Sequence, residues 1–241
     1  MRASTVRTLA ALALSAALAS ACGGGQDPAE LAAQQAAARE QAAEQAARQF
    51  EAAVAEGNWA LARAQGDVLL ADYPGTAAAG RIAAQHAEAR AKAAQEAEDY
   101  RLASLWSYQQ LQVEGGQQRS ASIAAKDPVD VDGSGAKPVQ LIFREHPEWG
   151  RSSYLVLKAG DFDCYGGCRV QVTIDGEPRR MAASRPRTDD AIAMFVEDER
   201  ALWRLAAEGQ VIAIEFPVAA GGTRTATFEV GGLEPSKMPG W

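Results

Sequence analysis

Acid–base chemistry near neutral pH usually runs through histidine, and this chain has two. His146 lies in Arg144-Glu145-His146-Pro147-Glu148-Trp149, where an adjacent carboxylate and imidazole offer the base of a hydrolase. The plainer reading of the same six residues is a loop that follows a strand. His86 falls in an alanine-rich stretch and reads as a solvated helix-surface residue. No Gly-x-Ser-x-Gly elbow, Ser-x-x-Lys or His-Glu-x-x-His motif occurs. The acidic pairs Asp161/Asp163 and Asp189/Asp190 lack the ligand spacing of an EF-hand loop, and solvated turns are their ordinary use.

Cys164 and Cys168 make the other reactive pair. Two thiols are only half of a zinc site, and no histidine stands nearby in sequence. A redox-active pair is normally Cys-x-x-Cys at a helix start, where the dipole lowers the thiol pKa. Here Tyr165-Gly166-Gly167 intervene and the next segment reads as a strand. A structural disulfide is therefore expected, with Gly166 and Gly167 supplying the positive φ of a tight loop. A thiol oxidoreductase is the alternative. Arg179, Arg180, Arg185 and Arg187 form the one basic cluster, on a hairpin arm; it serves either an acidic partner or the protection of an edge strand. The glycine pairs all sit at turns beside strand candidates and not before helices, so no phosphate cradle and no cofactor are expected.

The N-terminus sets the compartment. Arg2 and Arg7 precede an apolar run from Leu9 to Ala19, the order of a secretory signal over residues 1–21. Ala19-Ser20-Ala21-Cys22 resembles the lipobox of bacterial lipoproteins, although Leu is preferred where Ala19 stands. The resemblance implies that Cys22 is lipidated and becomes the mature N-terminus. Ala19-Ser20-Ala21 also fits an ordinary A-x-A cleavage site. Cysteine parity favours lipidation: the chain has three Cys, and modifying Cys22 leaves an even pair. Residues 22–28, with Gly23-Gly24-Gly25, would be a flexible linker from the membrane. No acidic residue stands directly after Cys22, and resemblance to enterobacterial lipoproteins then implies the outer membrane, facing the periplasm.

The elements that must position these residues differ between the two halves. The chain has 241 residues, 47% hydrophobic and 23% charged, with a net charge of -7. That balance excludes a polytopic membrane protein and argues against a nucleic-acid partner, which calls for a basic face. Residues 29–105 are alanine-rich and strongly helix-favouring. A first helix is expected from Pro28 to Gly57, a second over Trp59–Asp72 and a third over Thr76–Leu105. The run Gly57-Asn58-Trp59…Ala62…Leu69-Leu70…Tyr73-Pro74 resembles the second half of a tetratricopeptide repeat. Gly66 departs from it, standing where a large aromatic is usual, and no second copy follows. A helical hairpin or three-helix unit is the expectation.

Residues 106–235 alternate as strands. Val170, Val172 and Ile174 share one face before an Asp175-Gly176 hairpin turn. Ile212, Ile214 and Phe216 repeat the pattern, as do Ala226, Phe228 and Val230. A short helix fits Asp198–Glu208, and 236–241 is left as a tail. The fold class is α+β: Ala-rich helices, then an antiparallel β-sandwich or open barrel of eight or nine strands with one short helix. Phe162-Asp163-Cys164…Cys168-Arg169-Val170…Asp175-Gly176 with Phe195 resembles the small secreted β domains of invasion-associated locus proteins and type VI secretion accessory proteins, a resemblance that points to compartment. The functional expectation is a non-enzymatic envelope lipoprotein that binds or scaffolds an envelope protein partner. An accessory subunit of a secretion or envelope-assembly machine is one alternative. An enzyme using Cys164/Cys168 or Glu145/His146 is the other.

Overall fold

The computed structural model describes residues 27–187 and 192–241. The expected signal segment, Cys22 and the Asp189/Asp190 pair lie outside the described residues. The chain divides into two compact units, one ending at His86 and the other running from Ala87 to Trp241. No helix among the described residues is long and apolar enough to cross a membrane.

In the first unit each helix start is capped by a side chain. Asp27 accepts the N–H of Ala29 at 2.9 Å, and Pro28 opens α1 (Pro28–Ala55). Asn58 accepts from Leu61 N at 3.1 Å to begin α2 (Trp59–Asp72). At the start of α3 (Ala77–Ser104), Thr76 Oγ1 accepts from Ala79 N, and Glu40 of α1 takes the N–H groups of Ala77 and Ala78, each bond 3.2 Å long. The apolar stripe is mostly alanine around three larger groups, Phe50, Leu69 and Ile82, all buried. His86 corrects the expectation of a surface residue: it is 5% exposed. Its ring occupies the space beside Gly66, where a Cβ would overlap it. Nε2 lies 2.9 Å from Asp67 Oδ1, and Phe50 packs edge-on at 6.3 Å.

The second unit contains nine strands: β1 (Trp106–Val113), β2 (Gly116–Ala124), β3 (Gln140–His146), β4 (Gly150–Val156), β5 (Cys168–Ile174), β6 (Glu177–Ser184), β7 (Ala193–Val196), β8 (Val211–Pro217) and β9 (Thr223–Glu229). They form one antiparallel sheet in the order β1-β2-β3-β4-β7-β6-β5-β8-β9. The short β7 joins the two halves, pairing with β4 at four positions and with β6 at two. No strand pairing closes β1 onto β9 among the described residues. The sheet curls instead. Lys126 N, just past β2, donates to Thr227 O of β9 at 2.7 Å, and Trp106 Nε1 donates to Val230 O at 3.3 Å.

The alternation read from the sequence is the reason for the curl. Val170, Val172, Ile212, Ile214, Ala226 and Phe228 all point inward and are buried, so one face of each strand feeds a single core. At the Asp175-Gly176 turn both residues have positive φ, 46° and 93°, as a type I′ hairpin requires. The helix α4 (Glu199–Glu208) lays Leu202, Trp203 and Ala206 on this core. Gly209 after it is extended, and its lack of a Cβ makes room for Ile174. Residues 236–241 join the same core through Met238 and Trp241.

Candidate functional site

The helix α4 is amphipathic by its spacing. Leu202, Trp203 and Ala206 are buried, while Arg200 and Arg204, four residues apart, share the exposed side. Asp198 fixes its start by accepting from Ala201 N at 3.0 Å. Three open clefts follow the helix. The first, about 590 Å³, lies between α4 and β6 and is lined by Arg179, Arg180 and Arg204, with Asp198 and Glu208. The second, about 540 Å³, shares Arg204 and adds Arg151, Arg200, Trp203 and Trp241. The third, about 500 Å³, shares Arg151 and Arg200 and reaches Arg119, Glu145 and Glu199. Shared walls set the three side by side as one grooved face along α4.

This groove concentrates positive charge on an acidic chain. Among the described residues, Arg151, Arg179, Arg180, Arg200 and Arg204 have no ion-pair partner. Arg179 is placed by register: it pairs with Val172 and so stands on the core-side face at the sheet's rim, beside Met181. Arg180 is on the opposite face. The two reach the first cleft from opposite faces of the strand.

Below α4 the register brings together three charges that are far apart in sequence. Arg119 of β2 pairs with Glu145 of β3, which pairs with Arg151 of β4, so the three are cross-strand neighbours on one face. Arg119 Nη1 is 3.7 Å from Glu145 Oε2, an ion pair too long to be a hydrogen bond. Gly240 lies against the Glu145 carboxylate, where a Cβ would overlap it. Trp241 then packs on Phe143 at 5.5 Å and on Trp203 at 5.0 Å.

The residues singled out from the sequence are distributed otherwise. Glu145 and His146 are neighbours on β3, so their side chains leave opposite faces. His146 corrects its loop assignment: it is the last residue of β3, 7% exposed. Its Nδ1 accepts from the N–H groups of Glu148 and Trp149, and its ring stacks on Trp149 at 3.9 Å. Cys164 and Cys168 form the expected disulfide, with Cα atoms 5.2 Å apart. Of the two glycines in its loop only Gly167 uses positive φ, at 85°.

The arginine cluster of the hairpin arm is split. Arg185 is 5% exposed, donates from Nε to Asp161 Oδ1 at 2.8 Å and lies over the Tyr165 ring. Burial acts to raise the Asp161 carboxyl, but hydrogen bonds from Arg185, Tyr165 and Phe162 N outweigh it and hold it below its ordinary range. Arg185 is thus an internal brace, Arg187 is exposed at the far end of β6, and only Arg179 and Arg180 reach the groove.

Sequence reasoning missed Arg119, Arg151, Arg200 and Arg204. The i, i+4 spacing of Arg200 and Arg204 opposite Leu202 and Trp203 carried a signal for two of them. Comparison with protein-family models, with curated proteins and with solved structures returned no match.

Proposed function

We propose that this chain is a non-enzymatic, periplasm-facing lipoprotein of the bacterial envelope, anchored through Cys22, whose β unit docks a protein partner in the groove along α4. The observation that carries the docking reading is the set of five arginines without ionic partners among the described residues, lining adjoining clefts of a chain whose net charge is -7. Exposed arginines along one face steer and orient an acidic surface that meets them. The Cys164–Cys168 bridge supports an oxidising compartment. The opposed faces of Glu145 and His146 speak against a hydrolase built on them. A subunit accessory to a secretion or envelope-assembly machine is the same reading with a larger partner.

The test joins anchor and groove. A photo-crosslinking residue at position 204, in cells of a Gram-negative host carrying the partner, should trap one envelope protein. Arg200→Glu with Arg180→Glu should abolish the adduct while the disulfide and melting point are kept. Cys22→Ser should move the protein into the soluble fraction or stall its processing. Adducts indifferent to charge reversal would refute the groove, and unchanged membrane retention of Cys22→Ser would refute the anchor.

A further inference from the structure

The first cleft meets β6 edge-on. Four consecutive residues, Arg179, Arg180, Met181 and Ala182, line it, whereas a cleft on one face of a strand would touch every second side chain. Register gives the hydrogen-bonding character of that edge. Ile174 and Glu177 flank the two-residue hairpin turn, so this pair exchanges both backbone bonds, and Arg179 and Met181 likewise turn their N–H and C=O groups to β5. Pro178, Arg180 and Ala182 turn theirs the other way. Ala182 O accepts from Glu197 N at 2.9 Å, in agreement with that parity. There the neighbouring strand stops. Among the described residues β7 pairs with β6 only at Ala183 and Ser184, and past Asp198 the chain is α4. Pro178 O, Arg180 N and Arg180 O are thus left without a backbone partner among the described residues, on residues that are exposed.

We infer that an extended segment of the partner protein adds to this edge as a further strand, in the lane that β7 leaves at Glu197. The inference rests on the docking reading above and adds the form of the partner. One residue of the segment exchanges both backbone bonds with Arg180, and the next but one donates its N–H to Pro178 O. Pro178 has no N–H to offer, so the ladder ends there. Opposite Arg180 the segment carries a carboxylate, a cross-strand pair on the face away from the core. Its residues on either side are apolar and meet Met181 and Leu205. The far wall is Ala201, Arg204, Leu205 and Glu208 of α4, and the space between is about 590 Å³, a size usual for ligand sites. Two copies of this chain pairing along β6 about Arg180 would set guanidinium against guanidinium, and like charges directly opposite repel. The occupant is therefore a partner segment and not a second copy.

The experiment is an amide-resolved NMR titration of the full chain with the end-blocked pentapeptide Thr-Val-Asp-Val-Thr, and with the same peptide N-methylated at its aspartate. The unmethylated peptide should move the Arg180 N–H downfield and slow its hydrogen exchange. The N–H groups of Arg179 and Met181, already bonded to β5, should gain no protection. Methylation removes the donor to Arg180 O and should weaken binding about tenfold or more, the worth of one hydrogen bond. Arg180→Pro removes the other bond at a position with the parity of Pro178, and should abolish binding while the disulfide and melting point are kept. Should that variant fail to fold, the methylated peptide tests the same pairing with the protein untouched. Equal binding of the two peptides, new protection at Arg179 and Met181 in place of Arg180, or no binding at all would each overturn the inference. Concentration-dependent self-association that protects the Arg180 N–H would overturn it too, by putting a second copy in the lane. If the position-204 adduct persists in any of those cases, the partner docks by a folded surface and the docking reading stands alone.

Discussion

Asp161 and Arg185 show how one residue pair sets the acid limit of the β unit. The Arg185 side chain is 5% exposed and Asp161 28%, so the guanidinium depends on this carboxylate inside the fold. Because hydrogen bonds hold the Asp161 pKa below its ordinary range, the native state binds its proton less readily than the unfolded chain does. The pair therefore contributes its full stability above about pH 4, the ordinary aspartate range, and loses it as the pH falls through the depressed native value. Asp161→Asn should cost about 2 kcal/mol at pH 7, the worth of a charge-assisted bond to a buried partner. That difference should narrow toward pH 3, as measured by urea unfolding at both values. A gap that stays constant across the range would show that the charge at 161 is not what braces Arg185.

Among the elements, the Cys164–Cys168 loop and β5 give the clearest case of local sequence dictating local structure. The bridge closes the turn directly before β5, with Arg185 N and Gly167 N both donating to Cys164 O, at 2.9 and 3.2 Å. Closing a five-residue loop stabilises by roughly 2 kcal/mol in the chain-entropy model. Reduction should add two hydrogens to the intact mass and lower the melting point; free thiols in protein isolated from an oxidising compartment would contradict it. Helix bounds were legible wherever patterning and caps coincide: α2 runs over the residues expected of it, and α4 over all but the first of its own. Burial was less legible. His86 is internal only because Gly66 on another helix leaves room for its ring. The groove floor needed the register of three strands, which brings Arg119, Glu145 and Arg151 side by side, and no local pattern in the sequence encodes that.

For the whole molecule, the slender join at β7 governs how the sheet must assemble. Strands β1 to β4 follow one another as a meander, and β5, β6, β8 and β9 make a second group whose hairpins are local. Between them stand four residues of β7, held to β6 by the pairs Ala183↔Val196 and Ser184↔Phe195 and by Glu197 N donating to Ala182 O at 2.9 Å. Local hairpins close with little loop entropy, whereas the β4–β7 and β5–β8 pairings each reach across more than thirty intervening residues. The expected order of refolding is therefore the β1–β4 meander and the β5–β6 and β8–β9 hairpins first, joined later through β4–β7 and β5–β8. Pulse-labelled hydrogen exchange should protect the β1–β4 amides and the β5, β6, β8 and β9 amides before those of β7; simultaneous protection of all nine strands would count against it. A clasp that forms last also opens first, which makes β7 the line along which a pulling force would part the sheet.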